Sequence, residues 1–360
     1  MGRWASRLRA APQAVRLCVD ERRVSDIGEF GLIAQLEAAL PDDVRRSAAV
    51  ELGIGDDAAI WQPSPGASVV ITTDSLVEGI HFRLDWTDWE SLGHKALAVN
   101  VSDLAAMGAA PRIAVVTLGL RGSERMTDLI ALYAGMGEVA RRYGVVIAGG
   151  DIVRSPFGLA LHITALGELQ GAERLTRSGA RPGDIIGVTG TLGASAGGMQ
   201  LLADDSAPRT AATADLLVQA HLRPEPRVAL GQLLRKHGAS AAMDLSDGLM
   251  GDLPKILAAS NVSAEIDLRE IPVAAAVRAL FPSEWLTFAT RGGEDYELLF
   301  TVPEEGWQAM HDALSSAAGQ VHAIGRILPA DDAPAITVIG LDGMARQEAP
   351  GAFDHFARND

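Results

Sequence analysis

Apolar runs that break off on aspartate are the feature that most limits how this chain can fold. The run Val50 to Gly55 ends on Asp56-Asp57, and Val69-Val70-Ile71 ends on Thr72-Thr73-Asp74. Val145 to Ala148 ends on Gly149-Gly150-Asp151, and Ser240 to Met243 ends on Asp244, with Ser246 and Asp247 just beyond. A further acid, Asp103, stands three residues from Asn100 on a run with helical spacing, so the two share a face. One such Asp is ordinarily a turn residue or a helix cap. Recurrence leaves two kinds of fold: one that scatters the acids over separate loops, and one that gathers them. Gathered acids repel, by about 4 kcal/mol for two unit charges ~4 Å apart at an effective dielectric of roughly 20. Cations must then fill the cluster, and carboxylates with hydroxyl neighbours suit magnesium. Convergence itself is not readable from the sequence.

The bulk properties narrow the function. A length of 360 residues suggests two domains at roughly 100–200 residues each. A formal net charge of -15 argues against a general nucleic-acid binder, whose phosphate partner would be repelled. It leaves room for a phosphate-handling enzyme that recruits cations. The single cysteine, Cys18, excludes an internal disulfide framework and a cysteine-rich zinc site, and fits a reducing cytoplasm. No run of about twenty apolar residues is present, so no membrane span is read. Residues 1–25 are Arg-rich without a sustained apolar core, and are read as a disordered extension.

Periodicity and Gly/Pro punctuation predict a helix over 28–40, with Phe30, Ile33, Leu36 and Leu40 on one face. Strands are expected over 50–60, 67–73, 112–120, 145–148 and 159–169. Helices are expected over 86–107 and over 124–143, the second capped by Ser123. Later come strands over 185–189, 240–243 and 296–302, and helices over 199–203 and 228–237. The alternation predicts an α/β (mixed α+β) chain with residues 26–169 as one domain and 170–360 as a second.

The glycine-rich loop 190–198 admits rival readings. Gly193-Ala194-Ser195-Ala196-Gly197 fits the G-x-S-x-G nucleophile elbow of an esterase. Glycines that let helices approach closely, or that cradle a phosphate, fit as well. A P-loop is excluded, because no Gly-Lys-Ser/Thr follows. Taken singly, His81, Tyr133, Arg177 and Glu294 have ordinary structural explanations.

Together the segments resemble the thiamine-monophosphate kinase family, within the aminoimidazole-ribonucleotide-synthetase-like superfamily. The segments are GEFGLI (28–33), LGIGDDAA (52–59), TTDSLVEGIHF (72–82), KALAVNVSDLAAMGA (95–109), GGD (149–151), LTRSGARPGD (175–184), VTGTLGASAGG (188–198), HLRPEPR (221–227), DLSDGL (244–249) and GGEDYELLFTV (292–302). The resemblance implies an N-terminal α/β domain that pairs with its twin in a homodimer, and a C-terminal α/β domain beside it. Between them would lie a cleft where ATP phosphorylates thiamine monophosphate to thiamine diphosphate. It implies Asp57, Thr72, Thr73, Asp74, Asp103, Asp151, Asp244 and Asp247 as the magnesium set. Tyr133, Gly150, Asp151, Arg177 and Ser246 would contact ATP, and His81, Glu294 and Phe353 the substrate. No general base is implied, since the acceptor phosphate oxygen is already ionised. A selenophosphate synthetase is disfavoured because the lone cysteine lies in the N-terminal arm. An aminoimidazole-ribonucleotide synthetase is disfavoured by TTDSLVEGIHF and GGEDYELLF.

Overall fold

The computed structural model describes residues 22–204, 212–317 and 319–348. Its strands are β1 (Val50–Leu52), β2 (Ile60–Trp61), β3 (Ser68–Val77), β4 (Ala110–Leu120), β5 (Val146–Arg154) and β6 (Ala160–Leu169). They continue with β7 (Ile185–Thr189), β8 (Ala241–Asp244), β9 (Val262–Asp267), β10 (Leu298–Val302), β11 (Val321–Pro329), β12 (Ile336–Ile339) and β13 (Ala345–Glu348). Four strands form one sheet in the order β3-β6-β4-β5, and seven form another in the order β13-β12-β9-β11-β7-β10-β8. Both sheets mix parallel and antiparallel pairs: β4 runs parallel to β5, and β9 to β12.

Helix Trp89–Ala106 lies between the two halves. Asp88 caps it, its Oδ1 accepting the Ser91 N–H at 2.7 Å. It is buried almost all round, which is why it is rich in small residues and shows little amphipathic contrast. Three glycines explain how neighbours come so close. A Cβ on Gly93 would stand 1.8 Å from Leu132 O on helix Met126–Tyr143, and one on Gly135 of that helix 1.8 Å from Glu90 O. On the other flank, a Cβ on Gly231 of helix Val228–Lys236 would stand 1.9 Å from Ala105 O. Helix Trp89–Ala106 is thereby held by both halves of the molecule.

The four-stranded sheet has one covered face, where Val116, Leu118 and Ile163 meet Leu97, Leu129 and Met136 of the helices. On the other face, Val50 and Trp61 of the β1–β2 hairpin cover Ile113, Val146 and Ala148. The rest of that face is open, with Ile71 66% exposed. The seven-stranded sheet is packed on both sides. On β10, Leu299 joins helix Leu249–Ser260 through Leu253 and Ile256, while Leu298 and Phe300 join Leu234, Met310 and Leu314. A strand buried on both faces reads as a continuous apolar run.

Several expectations need correction. The strand expected over 50–60 is interrupted by the loop 53–59, where Gly55 takes φ 119. β3 and β5 do not stop at their aspartates but run on to Val77 and Arg154, so Asp74 and Asp151 sit within strands. Helix Met126–Tyr143 has Arg125, which makes no side-chain cap, rather than Ser123 at its N-cap position. The Glu124 carboxylate instead accepts the N–H groups of Arg121 and Gly122 at 2.9 and 2.8 Å, which makes a turn there. In helix Glu29–Ala39 the buried side chains are Leu32 and Leu36, and Phe30 is 85% exposed. The helix expected over 199–203 begins at Ala194. At the start of the described residues, Val24 and Ser25 donate to the carbonyls of Glu124 and Gly122, both at 3.1 Å.

Candidate active site

Three acids from distant parts of the chain meet where the two halves join. Asp74 lies on β3 at the edge of the small sheet, and its N–H donates to Asn100 Oδ1 at 3.1 Å. Asp103 lies one turn along the same helix and accepts from Thr72 Oγ1. Asp244 ends β8 at the edge of the large sheet and accepts from Ser102 Oγ at 2.7 Å. Thr72 and Asp74 share the strand face turned toward the helix, while Asn100, Ser102 and Asp103 present the helix face turned toward both edges.

The electrostatics record this crowding. Burial, followed by the Asp103 carboxylate beside it, pushes Asp74 up to about 6. Burial and then the charge of Asp103 push Asp244 up to about 7, against the hydrogen bond from Ser102. Asp103 is raised as well: burial outweighs the Thr72 hydrogen bond and the positive charge of Arg177. Arg177 is near enough for its charge to act on Asp103. Carboxylates held in this way gain by meeting a hard cation, so the donor set fits magnesium. Among the described residues no three acids or imidazoles stand close enough to enclose a metal unaided. Magnesium characteristically takes one or two carboxylates and completes its octahedron with water and substrate phosphates, so such an open arrangement suits it.

Beside the acids a cavity of about 560 Å³ runs between the halves. Its lining includes Asp74, His81, Trp86, Ser246, Asp247 and Glu294. The His81 ring is oriented by the Val77 N–H, which donates to Nδ1 at 3.1 Å. Arg83 lies over the Trp86 ring, 4.8 Å from its centre. Glu294 has φ 65 and Tyr296 φ 49, left-handed conformations that a non-glycine residue adopts only when its surroundings enforce them. The enforcement is visible: Glu294 N–H donates to Ser246 O at 2.8 Å and Tyr296 N–H to Leu245 O at 3.0 Å. Lys95 Nζ stands 3.0 Å from Glu294 Oε2. Burial pushes the Glu294 carboxyl up, but Lys95 and His221 outweigh it and hold it below its ordinary range.

Most of the remaining expected residues lie elsewhere, although Asp247 lines the cavity. Thr73 points to the open face, its Oγ1 donating to Ile163 O at 3.0 Å. Asp151 is exposed on β5, with two strands between it and β3, about 14 Å away at ~4.8 Å per strand. Asp57 is exposed in the loop 53–59, and Gly53 of that loop lies beside Ala148. Asp247 pairs with Lys255 at 2.5 Å. At Gly150 a Cβ would stand 1.8 Å from Val116 O, so strand packing alone requires glycine there. Tyr133 is packed in the helix–sheet core, 7% exposed. Phe353 lies outside the described residues.

The structure also decides the loop 190–198. Ser195 Oγ lies 3.0 Å from His221 Nδ1, and Glu294 Oε2 lies 3.3 Å from the same nitrogen. An acyl-transfer triad needs its serine and its acid on opposite ring nitrogens. With both on Nδ1 no proton can be relayed, so the esterase reading fails. The glycines serve close packing: a Cβ on Gly198 would stand 2.0 Å from Leu217 O on helix Ala212–Leu222. Ser195→Ala should accordingly lose about 1 kcal/mol of stability in denaturant titration, with turnover within about threefold of wild type. Loss of an ester-hydrolysing activity in that variant would restore the elbow.

Sequence reasoning passed over Lys95, Ser102, Trp86 and His221. Only Lys95 left a signal, a lone lysine in an Ala-rich helical run, where a buried charge needs a partner. His221 and Ser102 acquire meaning only from residues far away in the chain.

Comparison with known proteins agrees with this architecture. The family model described as AIR synthase related protein, N-terminal domain, matches residues 55–169, and its C-terminal counterpart matches residues 181–336. Thiamine-monophosphate kinase of Escherichia coli (strain K12) is 43% identical over 332 residues, covering 92% of this chain and 98% of that one. The crystal structure of thiamine-monophosphate kinase from Stenotrophomonas maltophilia K279a superposes with a TM-score of 0.77 at 37% identity, covering 89% of this chain and 98% of that one. AaThiL complexed with AMPPCP and TMP superposes with a TM-score of 0.71 at 30% identity, covering 93% and 99%.

Proposed function

The chain belongs to the AIR synthase related family and, within it, to the thiamine-monophosphate kinases, and from that premise we propose a magnesium-assisted, in-line transfer of phosphate from ATP to thiamine monophosphate. The observation that carries this reading is the meeting of Asp74, Asp103 and Asp244 around helix Trp89–Ala106, beside a cleft lined by Asp74 and Glu294. An oxygen of the acceptor phosphate attacks the γ-phosphorus of ATP as the bond to the β,γ-bridging oxygen breaks, giving ADP. That oxygen is already ionised, so the chain supplies alignment and charge compensation, not a base. The two substrates bring roughly six negative charges. Magnesium, when held by these residues, would supply charge neutralisation for the phosphates. Asp74, Asp103 and Asp244 with Thr72 are assigned to hold it on the helix side, and Asp247 at the cleft rim. Arg177 is assigned to the nucleotide phosphates, together with Ser246. His81 and Glu294 are assigned to the acceptor, Glu294 complementing the thiazolium charge.

Homodimerisation is part of the same proposal. The open sheet face carries Ile71 and Val153, 66% and 47% exposed, a surface a second copy would cover. Thr73 and Asp151 lie on that face and Asp57 in the loop beside β5; these three are assigned to magnesium with the second copy in place. Gly150 and Tyr133 belong to the nucleotide set on the same footing, as does Phe353 to the acceptor. Ile71→Lys should convert dimer to monomer in sedimentation; an unchanged dimer would place the interface elsewhere. The reaction is assigned to the cytoplasm on the lone cysteine, and among the described residues no helix is long and apolar enough to cross a membrane.

The test is incubation with ATP, Mg²⁺ and a panel of phosphomonoesters, read by product mass. Thiamine diphosphate should form, and chelation of the metal should stop it. Formation of a different phosphorylated product, with none from thiamine monophosphate, would overturn the reading.

A further inference from the structure

The buried base of the cleft holds a charge pair that joins the two halves. Lys95 projects from helix Trp89–Ala106 with its side chain 3% exposed, and its ammonium meets Glu294 Oε2 at 3.0 Å. Glu294 belongs to the loop between helix Trp285–Arg291 and β10, in the other half of the molecule. That loop has no slack. A Cβ on Gly293 would stand 2.5 Å from Ser246 O, and one on Gly292 2.4 Å from Phe288 O. His221 brings Nδ1 to 3.3 Å from the same Oε2 and is itself buried. That nitrogen is hydrogen-bonded to Ser195 Oγ at 3.0 Å, so His221 stands beside the carboxylate as a buried packing neighbour. The Lys95 hydrogen bond engages Oε2 and leaves Oε1 unengaged by it, in a residue that lines the cavity.

We propose that Lys95 is a positioning residue for the phosphate acceptor: it holds Glu294 across the domain junction, with the buried His221 packed beside it, so that one carboxylate oxygen meets a cationic ring. The inference rests on the kinase reading above, in that the acceptor is taken to be a phosphomonoester with a cationic heterocycle. Lys95 compensates one carboxylate without reaching the cleft itself, because its side chain is almost wholly enclosed. Removing Lys95 therefore lets Glu294 turn or take up a proton, which weakens acceptor capture and leaves nucleotide capture alone. The nucleotide is assigned to a different group, Arg177 and the acids around Asp103. Arginine at 95 retains the charge but not the point-like ammonium, so it should restore only part of the function.

The experiment compares wild type, Lys95→Met, Lys95→Arg, Glu294→Gln and the double variant Lys95→Met/Glu294→Gln, with ATP and thiamine monophosphate varied separately. Lys95→Met should raise the KM for thiamine monophosphate at least ~10-fold while the KM for ATP stays within about twofold. Lys95→Arg should recover part of that loss. The double variant should be no worse than Glu294→Gln alone, because Lys95 acts only through Glu294. It also removes both members of the charge pair, so that neither is left unpartnered, and provides a folded comparison if Lys95→Met alone fails to fold. Full additivity of the two changes, or an equal rise in both KM values, would overturn the proposal. Wild type inactive on thiamine monophosphate would instead sink the kinase reading beneath it.

Discussion

Asp103→Asn is expected to lower kcat about a thousandfold, close to 4 kcal/mol in the barrier, with the fold intact. Asn has the same shape and still accepts the hydroxyl of Thr72, so the local packing survives. What disappears is one negative charge at the point where the charges of Asp74 and Asp244 also bear. In the free protein that loss relieves repulsion, so the melting temperature should stay level or rise. In the loaded enzyme it would remove a carboxylate proposed to hold magnesium. Opposite signs on stability and turnover separate a functional role from a structural one. Turnover at the wild-type rate in limiting Mg²⁺ would defeat the assignment.

Gly93→Val is expected to cost 3 kcal/mol or more, roughly the upper end of overpacking penalties. The Cβ would stand 1.8 Å from Leu132 O, a backbone atom that cannot swing aside. Helix Trp89–Ala106 would have to lift off helix Met126–Tyr143, moving Lys95, Asn100, Ser102 and Asp103 together. A control lies on the same helix pair: a Cβ on Gly137 meets only side-chain carbons at 3.8 Å. Gly137→Ala should therefore stabilise by about 0.5–1 kcal/mol through helix propensity. Denaturant titration of both variants checks the pair. Equal effects at the two positions would show that the close crossing is not what fixes the helix.

Much of this was legible in the sequence because it depends on local pattern. The strand Ile185–Thr189 was read with its observed bounds, since a short apolar run between Gly/Pro turns has few other fates. Asp103 and Asn100 were placed on one helix face by their spacing alone. The edges of β3 and β5 were not legible, because an Asp inside an edge strand or on an open face resembles one that ends a strand. The sidedness of the acids was hidden as well. Thr72 and Thr73 are adjacent in the chain, yet one faces Asp103 and the other the open face. Lys95 and Glu294 are 199 residues apart, and only the folded chain brings them together. Single-residue patterns also misled: Phe30 matched the helical stripe, while Leu32 and Leu36 are the residues buried.

The most direct measurement is anomalous scattering from crystals grown with Mn²⁺, a non-hydrolysable ATP analogue and thiamine monophosphate. Peaks about 2.0–2.3 Å from carboxylate oxygens of Asp74, Asp103 or Asp244, shared with phosphate oxygens, are the predicted result. Manganese bound to the phosphates alone, with these three side chains turned away, would contradict it.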